Sequence, residues 1–167
     1  LRGKNYATDD QRRTFYDRLT EKLATLPGVE RAAFGGALPT WGFSSSSNFV
    51  VEGLPEPATG AAPLAANTSV SPGYFATLGL RLLRGRDFNA TDLPDKPAVV
   101  IVNESMARAF WPGQDPIGKR IGWPSPFLSE PQIIVGVVSD AGAPGHLGRP
   151  DTMLQMYHPL AQSPDTR

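Results

Sequence analysis

One segment of the sequence has the spacing of a phosphate-binding loop: Gly113, four intervening residues, Gly118 and Lys119. The Ser or Thr that would hold magnesium is missing, because Arg120 follows the lysine. A phosphate-binding loop also opens a helix, whose N-terminal amides bind the phosphate. Here a helical pattern comes first and residues 121–124 (Ile-Gly-Trp-Pro) follow, so we predict that this loop binds no nucleotide.

Histidine and serine residues are the remaining candidates for catalysis or metal binding. The two histidines, His146 and His158, have no second ligand at helical spacing. A metal site would need Asp140 or Asp151 as well, whereas histidines in loops are usually solvated. The serine run of residues 44–47 lacks the Gly-x-Ser-x-Gly pattern of a nucleophile elbow. We therefore predict no catalytic residues, no cofactor and no metal ion.

Three aromatic residues lie in or beside predicted loops: Trp41, Phe43 and Trp123. Aromatic side chains are enriched at protein–protein interfaces, which makes these three the candidate partner-binding residues. Packing at the margin of the core is the alternative for the same residues. The segment of residues 84–87 (Arg-Gly-Arg-Asp) fits an anion site less well than a surface turn with local ion pairs.

Composition excludes several classes of protein. The chain has 167 residues, a formal net charge of zero and no cysteine. We therefore expect no nucleic-acid partner, no disulfide and no thiolate chemistry. An apolar run of about 18 residues, as a membrane span needs, is absent from the sequence. Because the chain starts with leucine instead of methionine, we interpret it as a soluble piece of a longer protein.

The strongest signal for a structural element is the run Val99 to Val102. Four consecutive β-branched residues predict a strand that is buried on both faces. Asn103 is a good N-cap for a helix that ends at Pro112 and Gly113. The apolar stripe of that helix consists of Met106, Ala107 and Phe110.

The other predicted elements alternate between helices and short strands. A first helix begins at residues 8–10, ends at Pro27 and Gly28, and has an apolar face of Phe15, Leu19, Leu23 and Leu26. A second, short helix begins at Ser71 with Pro72 in its first position and stops at Gly79. Strands are predicted at residues 29–34, 48–52, 64–70, 132–139 and 152–157.

A set of short segments occurs in a fixed order along the chain. The segments are Leu26 to Val29, Val70 to Phe75, Leu78 to Leu80, Leu83 to Phe88, Val99 to Glu104, Ala109 to Trp111, Asp115 to Lys119, Val135 to Asp140 and Tyr157 to Leu160. In this order and at these distances they resemble the periplasmic core domain of MacB/FtsX-like ABC transporter permeases, and the resemblance extends from about Phe15 to Leu160. The family's first strand, expected before Tyr6, is absent or shortened, and the Gly-rich loop after Asp140 departs from the family.

The resemblance implies an α+β fold in two parts. Residues 1–47 and 130–167 would form a porter-like subdomain of helices packed on a small mixed sheet. Residues 48–129 would form a smaller, more variable, mostly-β subdomain inserted between them. Such a domain lies on the periplasmic side of the bacterial inner membrane, between the first two transmembrane helices of a permease.

The resemblance also implies a function without catalysis. The domain would transmit the conformational change that a separate cytoplasmic ATPase drives, and it would dock a periplasmic adaptor, a lipoprotein or an exported substrate. Its partners would be the ABC ATPase, through the rest of the permease, and a second permease in a dimer. The alternative is an extracytoplasmic ligand-binding or sensor domain, with a pocket near Trp41, Phe43 and Trp123.

Overall fold

In the residues that the structure describes, the fold consists of three helices and one eight-stranded sheet. The computed structural model describes residues 8–37, 45–55, 57–58, 61–124, 130–141 and 153–162. The helices are α1 (Asp9–Ala24), α2 (Tyr74–Thr77) and α3 (Glu104–Phe110). The strands are β1 (Ser45–Asn48), β2 (Val50–Val51), β3 (Leu64–Val70), β4 (Leu82–Gly85), β5 (Val99–Asn103), β6 (Arg120–Gly122), β7 (Gln132–Val138) and β8 (Gln155–Pro159). This architecture confirms the predicted α+β class.

The sheet curls back on itself. Its strand order is β1-β3-β8-β5-β7-β6-β2, and β4 pairs with the end of β7. Two pairs, β3 with β8 and β5 with β7, are parallel, and the remaining pairs are antiparallel. The first and last strands of this order are consecutive in the chain, separated only by the fully buried Phe49. One short stretch of chain therefore joins both ends of the strand series, and the sheet must enclose the side chains on its concave face.

Two apolar clusters pack on the two faces of the sheet. The inner cluster lies on the enclosed face and includes residues from strands all around it: Phe49, Val51, Ala65, Val100, Val102, Ile121, Ile134 and Met156. Met106 of α3 and Trp111, which follows that helix, belong to the inner cluster too. The outer cluster lies on the opposite face, under α2: Val70, Tyr74, Phe75, Phe88, Val99, Ile101, Val138 and Tyr157. Strand β5 contributes to both clusters. All five of its residues are buried, including Val99 to Val102, for which burial on both faces was predicted.

Helix α1 begins as predicted, but none of its side chains that the structure describes is fully buried. The side chain of Thr8 accepts a hydrogen bond from the Gln11 amide, and the Gln11 side chain accepts one from Thr8, which forms a capping box. Leu19 and Leu23 are half-buried, and Leu26, just beyond the helix, is 50% exposed. The ring of Tyr16 packs against that of Phe34, which joins the helix to the rest of the domain.

Several predicted boundaries are wrong, and a side-chain hydrogen bond explains one of them. The strand predicted at residues 48–52 is in fact two strands, β1 and β2. Residues 29–34 are not a strand; only Gly35 makes an isolated bridge, to Val70. Ser71 does not begin α2, because its hydroxyl accepts a hydrogen bond from the Phe34 amide at 2.9 Å. The N-cap of α2 is Gly73, whose φ of 79° favours glycine. The last strand begins at residue 155 and includes Pro159.

Strands from both of the predicted parts share the sheet. For example, β3 of the central segment pairs with β8 of the C-terminal segment over five residue pairs. The division of the chain into residues 1–47 with 130–167 and residues 48–129 stays a prediction. Among the residues that the structure describes, no helix is both long and apolar enough to cross a membrane.

Candidate functional site

A groove of about 600 Å³ separates α1 from the body of the domain. This volume lies within the range of roughly 300–1,000 Å³ that is typical of small-molecule sites. Its apolar lining comes from α1, from Phe34, from the loop of residues 88–94, and from the end of β8 and the chain that follows it. The main apolar contributors are Tyr16, Phe34, Phe88, Leu93, Pro159 and Leu160.

The floor of the groove is fixed by packing and by backbone hydrogen bonds. The rings of Tyr16 and Phe34 pack with their centroids 4.9 Å apart, which ties α1 to the body. The backbone of Phe34 is held in turn by Ser71, since the two residues exchange hydrogen bonds of 2.9 Å. Phe88 and Pro159 are buried and belong to the packed body of the domain. The floor is therefore preformed.

Gln162 joins the groove's far wall to the sheet. Its side-chain oxygen accepts a hydrogen bond from the Val99 amide at 3.0 Å, and its amide nitrogen donates to the carbonyls of Leu93 and Pro97 at 2.9 and 3.0 Å. One buried end of β5, the loop of residues 93–97 and the chain after β8 are thus held by a single side chain. Both N–H donors of this amide are used, and its oxygen already accepts one hydrogen bond.

An ion pair stiffens the same wall. The guanidinium of Arg86 donates two hydrogen bonds of 2.8 Å to the carboxylate of Asp92, which is only 5% exposed. The amide of Asn89 donates a third, at 2.9 Å. Burial by itself raises the pKa of Asp92, but the hydrogen bonds from Arg86 and Asn89 hold that pKa below its ordinary value. The segment of residues 84–87, predicted as a surface turn with local ion pairs, begins instead inside β4, and its Arg86 forms a half-buried ion pair with Asp92 beyond the segment.

The rim of the groove carries charges of both signs, and they are distributed unevenly. Arg12 and Arg13 lie at the N-terminal end of α1, where Arg13 forms an ion pair with Asp10. One and two turns further along are Asp17 and Glu21, both exposed. No ion pair or hydrogen bond joins either carboxylate to another side chain in the described parts of the chain. The rim therefore carries two cationic and two anionic side chains on successive turns of α1.

Of the three predicted partner-binding residues, Trp123 lies among the residues that the structure describes. Trp123 follows β6 and packs, half-buried, against the inner cluster. Its ring centroid lies 6.4 Å from that of His158. Because β6 and β8 are not neighbours in the sheet, this contact joins two segments that strand pairing does not bring together. Trp41 and Phe43 lie outside the described residues, so the idea that the three form one patch stays a prediction.

The expectation that the histidines are solvated is wrong for His158. This residue lies in β8, is 9% exposed, and has its Nε2 2.9 Å from Oδ1 of Asn67. The side chain of Asn67 also donates to the hydroxyl of Ser47 at 2.8 Å, so its oxygen accepts the proton of the neutral imidazole. Burial lowers the pKa of His158 to about 4. His146 and Asp151 lie outside the described residues.

Asn103 has a second role that sequence reasoning missed. Besides capping α3, its side chain donates to Asp140 Oδ1 at 2.6 Å and to the Met153 carbonyl at 2.9 Å. Its own oxygen accepts from the Gln155 amide at 3.0 Å. Asp140 also accepts two hydrogen bonds from Ser105, at 2.7 and 2.9 Å. The Asn103 network, formed by these residues, therefore joins the ends of β5 and β7 to the start of β8.

The Asn103 network includes Asp140, whose carboxylate was considered as a metal ligand. Both oxygens of Asp140 accept hydrogen bonds from neutral protein donors, Asn103 and Ser105. In the part of the chain that the structure describes, no group of three or more metal-binding side chains is present. Only the parallel pairing of β5 with β7 brings these polar residues together, so residue spacing gave no signal for the network.

The segment from Gly113 to Lys119 has the surroundings of a turn. It follows α3 and leads into β6, whereas a phosphate-binding loop opens a helix. The amide of Gly118 donates to the Ile134 carbonyl at 2.8 Å, and that of Lys119 donates to the Pro116 carbonyl at 3.0 Å. These amides are already used within the protein, so they are not free to bind a phosphate.

Comparisons with known proteins identify the domain type. The family model described as "MacB-like periplasmic core domain" matches residues 3–166. The macrolide export ATP-binding/permease protein MacB of Aggregatibacter actinomycetemcomitans is 33% identical over 88 residues, which is 53% of this chain and 13% of that protein. The same-named protein of Mannheimia succiniciproducens is 30% identical over 86 residues, 52% of this chain and 12% of its own length.

Two solved structures share the fold. The periplasmic region of MacB from Actinobacillus actinomycetemcomitans superposes with a TM-score of 0.56 at 21% identity, over 88% of this chain and 56% of that one. A domain of a permease protein from Porphyromonas gingivalis gives a TM-score of 0.57 at 19% identity, over 88% and 58% of the two chains. The chain thus spans little more than half of each structure and about an eighth of each curated relative.

Proposed function

Since this chain belongs to the family of MacB-like periplasmic core domains, found in ABC transporter permeases, we propose that it transmits ATP-driven conformational change across the membrane. In this proposal a cytoplasmic ATPase, in a separate domain or subunit, hydrolyses ATP, and the domain itself catalyses nothing. Two permeases form the working dimer. The motion acts on a periplasmic adaptor, a lipoprotein or an exported substrate that docks on the domain.

The observation that carries this proposal, beside the family, is the way the curled sheet is held. Phe49 lies between β1 and β2 and so connects both ends of the strand series. The Asn103 network joins the ends of β5 and β7 to the start of β8. The Arg86–Asp92 ion pair holds the loop on the outer face. A body fixed at so many points moves as a unit, which is what transmission of a displacement requires.

For partner docking we propose the aromatic residues Trp41, Phe43 and Trp123. The support is the position of Trp123 directly after β6, half-exposed at a margin of the inner cluster. A rigid aromatic side chain that is anchored on one face and open on the other is typical of protein interfaces. We also retain the two-part organisation, in which residues 48–129 form the more variable part.

A pair of distance measurements tests the transmission role. The chain has no cysteine, so Lys96→Cys in a cysteine-free permease dimer places one spin label on each domain. Lys96 is exposed on the loop at the groove wall. We expect the distance between the two labels to change between the nucleotide-free and ATP-trapped states. An unchanged distance in both states would contradict the proposal.

A matched pair of labels in one domain is the control. Lys96→Cys combined with Gln114→Cys labels two exposed positions of the same body. If the domain moves as a unit, the distance within this pair stays the same in both nucleotide states. A change within the pair, with no change between the domains, would indicate local rearrangement in place of transmission.

The groove favours a second candidate function, a ligand-binding or sensor domain. Its volume of about 600 Å³ and its preformed apolar floor suit a small molecule. The predicted position of the pocket, near Trp123, differs from the position of this groove, which lies beside α1. Ligand binding at the groove would be compatible with transmission. Because α1 forms one wall of the groove, a bound ligand would contact both this helix and the body that moves as a unit.

A further inference from the structure

We propose that α1 is a movable wall of the groove, which turns about residues 25–28 and closes the groove while the sheet body stays fixed. This inference rests on the proposed transmission function and names the element of the domain that changes its position. It is carried by the attachment of α1, by the open surroundings of the turn after it and by the fixed, uncharged wall that faces it.

The helix α1 is attached to the body through partly buried side chains. None of its side chains between residues 10 and 24 is fully buried. The hydroxyls of Thr14 and Thr20 donate to backbone carbonyls one turn earlier in the same helix. The ring of Tyr16 reaches the body and packs on Phe34, with the centroids 4.9 Å apart. An element with little buried apolar surface changes its position at a smaller free-energy cost than an element of the core.

The turn after α1 has room to move. Its hydrogen bonds, donated by the amides of Thr25, Leu26 and Val29, are all 3.2 Å long, at the long end of the usual range. Gly28 has a φ of 81°, and a Cβ at this residue would have no neighbouring atom within 4 Å. Hinges are short segments at the ends of elements, where a few residues absorb changes in φ and ψ, and this turn has such a position.

The chain is fixed to the body again shortly after the turn. The guanidinium of Arg31 donates to the Ala76 carbonyl at 3.2 Å. The hydroxyl of Tyr74 donates to the Ala37 carbonyl at 2.8 Å. A change in the direction of α1 must therefore be absorbed by the few residues between the helix and this attachment.

The wall that faces α1 is fixed and uncharged. Gln162 holds the loop of residues 93–97 against β5. Outside α1, the lining residues that the structure describes are all uncharged, and Leu93 among them is 36% exposed. Closing the groove would remove apolar surface from water, but it would also remove water from the charged side chains of α1. Because these effects oppose each other, a modest driving force is enough to shift the helix between two positions.

Two spin labels across the groove test the proposal in the cysteine-free permease dimer, with both labels in one protomer. Thr14→Cys places a label on α1, at an exposed position outside the groove lining, and Lys96→Cys places one on the opposite wall. Thr14 lies about 16 Å along the helix from the turn, so a rotation of about 20° displaces it by about 5 Å. We expect the distance between the labels to change by that amount between the nucleotide-free and ATP-trapped states. The pair of Lys96→Cys and Gln114→Cys, within the body, is the control and should show no change.

A bulky side chain in the groove tests whether the motion closes it. Ala90 is exposed and lines the groove, so Ala90→Trp fills part of the space without disturbing the core. We expect this variant to abolish the distance change across the groove. The matched control is Ala109→Trp, at an exposed position of α3 outside the lining, which should leave the change as large as in the protein with alanine. Circular dichroism checks that both variants fold.

Two results would overturn the proposal. The first is a constant distance across the groove in a dimer whose Lys96 labels, one on each domain, do change their separation. That result would leave the transmission role in place and remove the movement of α1. The second is a distance change across the groove that persists in Ala90→Trp, which would show that α1 moves without closing the groove. If the separation between the domains is constant as well, the transmission role and this inference both fail.

Discussion

Acidification should destabilise this domain through one residue, His158. The buried imidazole has a pKa of about 4 in the folded state, compared with the ordinary value of 6.5. The folded state therefore binds the proton less well than the unfolded state does, and stability falls as the pH falls. The contribution is fully present above pH 6.5 and is lost as the pH falls towards 4. This window follows from burial alone, since the hydrogen-bond partner, Asn67, is neutral.

The magnitude follows from the two pKa values. A difference of about 2.5 pKa units corresponds to about 3.4 kcal/mol when the shift is fully expressed. Linkage then predicts a loss of about 2 kcal/mol between pH 7 and pH 5, and of about 3 kcal/mol by pH 4. Such a loss is a large part of the stability of about 5–15 kcal/mol that is typical of domains.

Urea unfolding of the wild type and of His158→Gln, at several pH values from 7 to 4, measures this loss. Glutamine can still donate to Asn67 but does not titrate, so the difference between the two proteins isolates the histidine. Asp92, whose pKa is lowered, contributes stability that is lost only at lower pH, and it is common to both proteins.

Ring-proton NMR gives an independent readout of the same residue. One of the two histidine signals should titrate near pH 4 and be missing in His158→Gln. The reasoning is refuted if both histidines titrate near 6.5, or if the wild type and the variant lose stability in parallel as the pH falls.

Two further predictions concern stability in urea at neutral pH. Asn103→Ala should cost about 3 kcal/mol, because it removes a helix cap and leaves buried partners unsatisfied. The exposed Asn89→Ala should cost less than about 1 kcal/mol, and equal costs would disprove the central role of the Asn103 network. Gly85→Ala should cost at least about 3 kcal/mol, since its φ is 71° and a Cβ would lie 2.2 Å from the Val135 carbonyl oxygen. Gly113→Ala has the same φ but open space around it, so we expect about 1 kcal/mol; similar values for the two glycines would show that the close approach is unimportant.

The fold class and most of the elements could be predicted because their signals are local. The β-branched run Val99 to Val102 is the centre of the sheet, and β3 has the bounds that were predicted for it. The cap at Asn103 was predicted, and Thr8 was among the three candidates, residues 8–10, for the first cap, because a cap and its partner lie within one turn. The ordered segments of the family resemblance also pointed to the family that the comparisons identify.

The predictions that failed depended on partners that lie far away in the sequence. Ser71 has the residue type of an N-cap, but Phe34, 37 residues earlier, takes its hydroxyl. His158 has the surroundings of a loop residue until β8 pairs with β3 and brings it to Asn67, 91 residues away. In both cases a contact made by strand pairing replaced the local preference.

The sequence by itself determined which segments are buried, where the first and third helices begin and which family the chain resembles. These properties depend on neighbouring residues and on the order of motifs along the chain. The curling of the sheet at Phe49, the Asn103 network and the groove beside α1 were decided only by the tertiary structure. Each of them forms from elements that are distant in the chain. Such elements are brought together by strand register and helix docking, and neither of these has a short-range signature in the residues.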